Sequence, residues 1–114
     1  PHSKEEKDKP LDQAPSGITG IETSLALGVT ELVEKGYLSM MQLLEKMTIN
    51  PAKLYNMEQG RLQEGKPADV VLFDPEEEWE VKEYKSKATN SPFTGWKLKG
   101  KVKYTICDGK IIEL

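Results

Sequence analysis

The order of patterns along the chain predicts a helical first half followed by a strand-forming second half. Two apolar stripes at helical spacing precede residue 57, strand-like runs follow it, and an Asp-Gly pair splits the last two apolar runs. Helices in series followed by strands in series indicate one α+β domain or two separate pieces. At 114 residues the chain is one domain's worth, or a piece of something larger. A compact chain of this size buries roughly two-thirds of the surface that its unfolded form exposes.

Each element has its own justification. Residues 1–16 are polar, charged and proline-bearing, with neither period, and predict a long loop. Thr19-Gly20-Ile21-Glu22 has the spacing of a capping box, so a helix is expected to begin there. Ile21, Leu25, Val29, Leu32 and Val33 then recur at three- and four-residue steps, and Lys35-Gly36 ends the stripe with a cation and a C-terminal glycine. Ser39 with Gln42 repeats the capping-box spacing, and Met40, Leu43, Leu44 and Met47 form a second stripe up to Ile49. Asn50-Pro51 predicts a third, short helix from Pro51 to about Tyr55, because proline at the first helical position sacrifices no hydrogen bond.

After Asn56, Gly60, Gly65 and Pro67 break the helical pattern. Ala68 to Asp74 reads as a buried strand closed by Asp74-Pro75, while Trp79 and Val81 alternate with Glu80 and Lys82 as a half-buried strand would. Asn90-Ser91-Pro92-Phe93 and Gly95-Trp96 predict an ordered loop that buries two aromatics. Val102 to Cys107, Asp108-Gly109 and Lys110 to Leu114 predict a hairpin whose two-residue turn needs positive φ. No internal repeat or low-complexity segment interrupts this order.

Composition narrows the chemistry. Nineteen acidic residues against 16 basic ones give a net charge of −3, with no basic block to neutralise phosphates, so nucleic acid is not an expected partner. The longest apolar runs, such as Val70-Val71-Leu72-Phe73, fall far short of the roughly 20 residues that cross a bilayer, so no membrane partner is expected. The first residues have no secretory pattern and no initiator Met, and read as a chain entered partway through. Cys107 is the sole cysteine, which excludes an internal disulfide and suits a reducing, cytoplasmic compartment. It reads as a semi-buried strand residue. His2 is the sole histidine, and one histidine with one cysteine cannot supply a zinc site, so any zinc must be held by residues from outside this chain. Glu76-Glu77-Glu78 lacks calcium-loop spacing and reads as a solvated loop, and Arg61, Lys97, Lys99 and Lys101 read as surface. Gly17 and Gly20 bracket the expected helix start, where a ligand can approach backbone N–H groups; the plainer reading is turn glycines leading into a helix. From spacing alone the chain carries no complete catalytic site.

Longer stretches resemble one family. Pro1-His2-Ser3-Lys4-Glu5-Glu6-Lys7 and Ala14-Pro15-Ser16-Gly17-Ile18-Thr19-Gly20-Ile21-Glu22-Thr23 are similar to the end of bacterial-type dihydroorotases of the amidohydrolase superfamily. Thr48-Ile49-Asn50-Pro51-Ala52, Gly65-Lys66-Pro67-Ala68-Asp69 and Ser91-Pro92-Phe93-Thr94-Gly95-Trp96 continue the likeness over essentially the whole chain. The Asn-Pro-Ala and Gly-x-x-Ala-Asp segments are superfamily-wide; Gly-Ile-Glu-Thr together with Ser-Pro-Phe-x-Gly-Trp is narrower.

The resemblance implies an α/β fold: residues 1–57 as the C-terminal end of a (β/α)8 barrel, and residues 58–114 as strands of a small β-sandwich. It implies a reversible conversion of N-carbamoyl-L-aspartate to dihydroorotate in pyrimidine biosynthesis, using a zinc-activated hydroxide. The family's catalytic Asp and its metal ligands would lie before Pro1, leaving no catalytic residue and no metal ligand here and an inactive fragment. His2 falls on a histidine that binds the substrate carboxylate, and Ser16-Gly17 on a loop pair that touches substrate through the main chain, with Phe common where this chain has Ser16. The partners implied are the small-molecule substrate, the remainder of the same enzyme, and self-association. An allantoinase or hydantoinase type of cyclic amidase is the near alternative. A non-catalytic assembly relative is the further one, and would lack Asp-His-Ala and His-x-His ahead of Pro1.

Overall fold

A computed structural model describes residues 2–114; Pro1, where the family likeness begins, lies outside the described residues. Among the described residues the order of elements is four short α-helices, with a π-helical turn between the second and third, followed by three strands, a small mixed α/β arrangement with one three-stranded sheet.

The first sixteen residues are not wholly loop. Helix α1 spans Lys4–Lys7, capped by Ser3 and Glu6 in a reciprocal box: Glu6 N donates to Ser3 Oγ at 3.2 Å and Ser3 N to Glu6 Oε2 at 2.7 Å. Four residues are too few to show an apolar period, so only the Ser-x-x-Glu cap marked it.

The Thr19–Glu22 capping box does not form. Helix α2 runs Ser24–Gly28, and a π-helical turn, Val29–Val33, follows it directly. Glu22 is drawn off to a distant loop, accepting from Lys85 N and Ser86 N, both at 2.9 Å. Ile21, the expected start of the stripe, is 93% exposed, whereas Val29 is buried. The termination is as expected, with Gly36 at φ +75°.

Helix α3, Met40–Met47, has the capping box at Ser39 and Gln42, with both reciprocal bonds present, and buries Leu43. Helix α4 spans Ile49–Leu54 and so starts ahead of Pro51, which sits inside its first turn where its missing N–H still costs nothing.

The two strands expected over residues 68–82 are one strand. β1, Val70–Glu80, pairs antiparallel with β2, Lys97–Cys107, which pairs antiparallel with β3, Lys110–Glu113. The ladder absorbs Asp74-Pro75 by bulging: Asp74 faces Lys101 and Glu78 faces Lys99, so Pro75, Glu76 and Glu77 lie opposite Gly100 alone. Asp74 Oδ1 closes that bulge by accepting from Glu76 N at 2.9 Å and Glu77 N at 3.3 Å. The hairpin turn has the expected positive φ at Asp108 (49°) and Gly109 (72°).

The small core sits where α2 meets the far end of this pair: Ala26, Val81 and Leu98, flanked by Leu27, Trp79 and Tyr84. Gly100 is buried at φ +93°, and a Cβ there would lie 3.1 Å from Val29 Cγ2, so the close approach of sheet and π turn depends on a missing side chain. Lys99 N reaches across to Thr30 Oγ1 at 2.9 Å.

Three surface expectations change. Cys107 is exposed: it ends β2 beside the hairpin turn, where Lys110 pairs with its backbone and leaves the side chain uncovered. Phe93 and Trp96 stack edge to face at 5.2 Å, but Trp96 stays 45% exposed. Glu77 is not in a solvated loop: it is paired with Lys101 at 3.4 Å and with Lys103, while Lys99 bridges Glu34 at 2.8 Å and Glu76 at 3.7 Å.

Candidate functional site

A cleft of about 610 Å³ brings His2, Ser16 and Gly17 to one place, lined also by Lys7, Glu22 and Asn90. The three residues singled out from the sequence thus converge, although fourteen positions separate His2 from Ser16.

His2 stands just before the α1 cap. Its Nδ1 lies 3.8 Å from Glu6 Oε2, the same oxygen that accepts from Ser3 N, so the cap carboxylate also flanks the imidazole. The Ser3 main-chain N–H, and after it the Ser3 hydroxyl, hold the Glu6 carboxyl below its usual value, keeping it an anion over a wider acid range. About half of the His2 side chain is exposed, leaving it free to donate to or accept from a ligand in the cleft.

The Ser16–Gly17 segment is held from behind. Gly17 adopts φ +102°, a conformation that suits glycine. Its carbonyl accepts from Lys7 Nζ at 2.8 Å and from Asn90 Nδ2 at 3.1 Å, and Lys7 Nζ also donates to the Pro15 carbonyl at 2.5 Å. Thr19 N donates to the Asn90 carbonyl at 3.2 Å, and Glu22 takes the two N–H groups of Lys85 and Ser86. The loop before the second strand therefore forms the cleft's other wall. Among the described residues, the N–H groups of Ser16, Gly17 and Ile18 donate no hydrogen bond.

Sequence reasoning missed Lys7, Glu22 and Asn90 in these roles. Asn90 directly precedes the Ser-Pro-Phe-x-Gly-Trp segment, which was the available signal, but a contact spanning 73 residues has no local signature.

The donor set does not fit a zinc ion. His2 is in the cleft, Cys107 is beside the hairpin turn, and among the described residues no three His, Cys, Asp or Glu side chains gather as a metal site.

The model of the amidohydrolase family matches residues 11–112. This chain belongs to the amidohydrolase family. It is 65% identical over 112 residues to the dihydroorotase of Clostridioides difficile (strain 630), covering 98% of this chain and 27% of that protein. It is 60% identical over 113 residues to the dihydroorotase of Lactococcus lactis subsp. lactis (strain IL1403), again with 98% and 27% covered. The chain thus spans about a quarter of the length of these relatives. Among solved structures, it superimposes on a D-hydantoinase (dihydropyrimidinase) from a Thermus species with a TM-score of 0.85 and 25% identity, covering 97% of this chain and 26% of that one. An L-hydantoinase (dihydropyrimidinase) from Arthrobacter aurescens gives a TM-score of 0.76 at 32% identity, with 90% and 24% covered.

Proposed function

We propose that this chain is the C-terminal segment of a dihydroorotase, furnishing one wall of the substrate cleft in an enzyme that interconverts N-carbamoyl-L-aspartate and dihydroorotate in pyrimidine biosynthesis. The observation that carries this is 65% identity to a dihydroorotase over 98% of the chain, joined to the meeting of His2, Ser16 and Gly17 in one cleft. On this reading residues 1–57 close a (β/α)8 barrel, with residues 1–16 among the loops of the C-terminal face where such barrels place their sites, and residues 58–114 belong to a small sandwich. His2 donates to the substrate carboxylate, and Ser16 and Gly17 offer main-chain N–H groups to its oxygens. Both contacts orient a small anionic ring without moving a proton. Zinc and the catalytic carboxylate belong to residues outside this chain, and the working compartment is the cytoplasm.

The test is turnover by the intact protein. Ring opening of dihydroorotate is expected, and turnover of allantoin or a hydantoin in its place overturns the assignment. The hydantoinase reading is kept as the rival because the solved structures above carry that activity in their names at 25% and 32% identity. Within the dihydroorotase reading, His2→Ala is expected to raise KM by about tenfold, the loss of one charge-assisted hydrogen bond, with bound zinc unchanged. A parental KM in that variant removes His2 from the site.

A further inference from the structure

The carbonyl groups of Pro15 and Gly17 converge on one ammonium, that of Lys7, at 2.5 and 2.8 Å. In a planar trans peptide the C=O and the following N–H point in opposite directions. Binding these two carbonyls to Lys7 therefore turns the N–H groups of Ser16 and Ile18 away from the ammonium, both in the same sense. Such a backbone needs a bend between the two peptides, and φ +102° at Gly17 supplies it. Asn90 adds a second donor to the Gly17 carbonyl at 3.1 Å, so both lone pairs of that oxygen are engaged, one by the first half of the chain and one by the second. The N–H groups of Ser16 and Ile18, alternate along the backbone and both without a protein acceptor among the described residues, are thus two donors turned the same way, suited to anionic oxygens.

We propose that Lys7 and Asn90 are positioning residues that fix the Pro15–Ser16 and Gly17–Ile18 peptide planes on either side of the Ser16–Gly17 pair, so that the N–H groups of Ser16 and Ile18 meet the oxygens of the substrate already oriented. This deepens the proposed dihydroorotase function and rests on it for the identity of the ligand. Lys7 touches no substrate; its charge acts through the backbone. Removing the ammonium releases two carbonyls at once and lets the loop sample other φ values, a cost felt at binding rather than in chemistry.

The experiment uses the intact protein with Lys7→Met, Lys7→Arg and Asn90→Ala. Steady-state kinetics on dihydroorotate is expected to show KM raised about tenfold in Lys7→Met and severalfold in Asn90→Ala, with kcat within about threefold of the parent, and Lys7→Arg recovering most of the loss. In parallel, ¹⁵N relaxation of Ser16, Gly17 and Ile18 is expected to fall from rigid order parameters in the parent to below about 0.6 in Lys7→Met. A parental KM in both Lys7→Met and Asn90→Ala overturns the proposal, as does a fall in kcat at constant KM. Should the parent not turn over dihydroorotate, the functional reading fails by itself and the relaxation data alone decide the clamp: unchanged order parameters overturn it.

Discussion

At the scale of single residues, positive φ matters at two glycines. Gly17 and Gly100 differ in what surrounds them: nothing lies within 4 Å of a Cβ built at Gly17, whereas at Gly100 it would meet Val29 at 3.1 and 3.3 Å. Gly100→Ala thus adds backbone strain to overpacking, and is expected to cost about 2 kcal/mol in the intact protein. Chemical denaturation should show the midpoint falling with the slope unchanged; an unaltered midpoint would show that the sheet and π turn can separate freely. The Gly100 requirement was not legible in the sequence, because the three-for-one bulge that creates it is a property of the pairing.

Among elements, capping determined which helices start where they were expected. Ser39-x-x-Gln42 formed its box because nothing else competes for either side chain, while Thr19-x-x-Glu22 lost its acid to the N–H groups of Lys85 and Ser86. Two main-chain donors from a distant loop outcompete one at the cap. Across β1 and β2 the charge pairs predict a pH dependence. The hydrogen bond from Lys103, and after it that from Lys101, hold the Glu77 carboxyl below its usual range against the opposing effect of burial. A carboxylate whose pKa is lowered on folding stabilises the fold above its unfolded value, and that contribution is lost as pH falls through the lower folded value. Thermal melts of the parent and Glu77→Gln should therefore differ at neutral pH and converge in acid. Because the group is at the surface, the difference should also shrink in high salt. A gap that persists below the carboxylate range would contradict this.

For the whole molecule, surface area is the informative quantity. The chain exposes 8589 Å², against about 6,300 Å² for a folded monomer of this mass, and so buries only a little over half of its unfolded surface of about 18,600 Å² rather than two-thirds. Its radius of gyration is 16.2 Å, against about 13 Å for a compact domain of this length. Some of the exposed surface is apolar: a groove of about 830 Å³ between α3, α4 and the sheet is lined by Leu25, Leu44, Met47, Val70 and Phe73, and Ile111 and Ile112 are 70% and 51% exposed on β3. Faces of this kind promote association. The 114-residue chain expressed alone is expected to elute as dimers or larger species in light-scattering chromatography. A monodisperse monomer at tens of micromolar would show that these faces tolerate water.

What the amino-acid order determined by itself was local: the α3 box, the Gly36 stop, the Asp108-Gly109 hairpin and the helices-then-strands sequence all follow from interactions within a few residues. The residues of the family motifs also marked His2, Ser16 and Gly17 before any geometry was known. Tertiary structure alone decided that β1 is continuous through a bulge, that Glu22 leaves its helix, and that Lys7 and Asn90 meet on one carbonyl. Those outcomes depend on competition between groups up to 73 positions apart. Each polar group takes the best partner that folding brings to it, and no pattern of nearest neighbours specifies which that is.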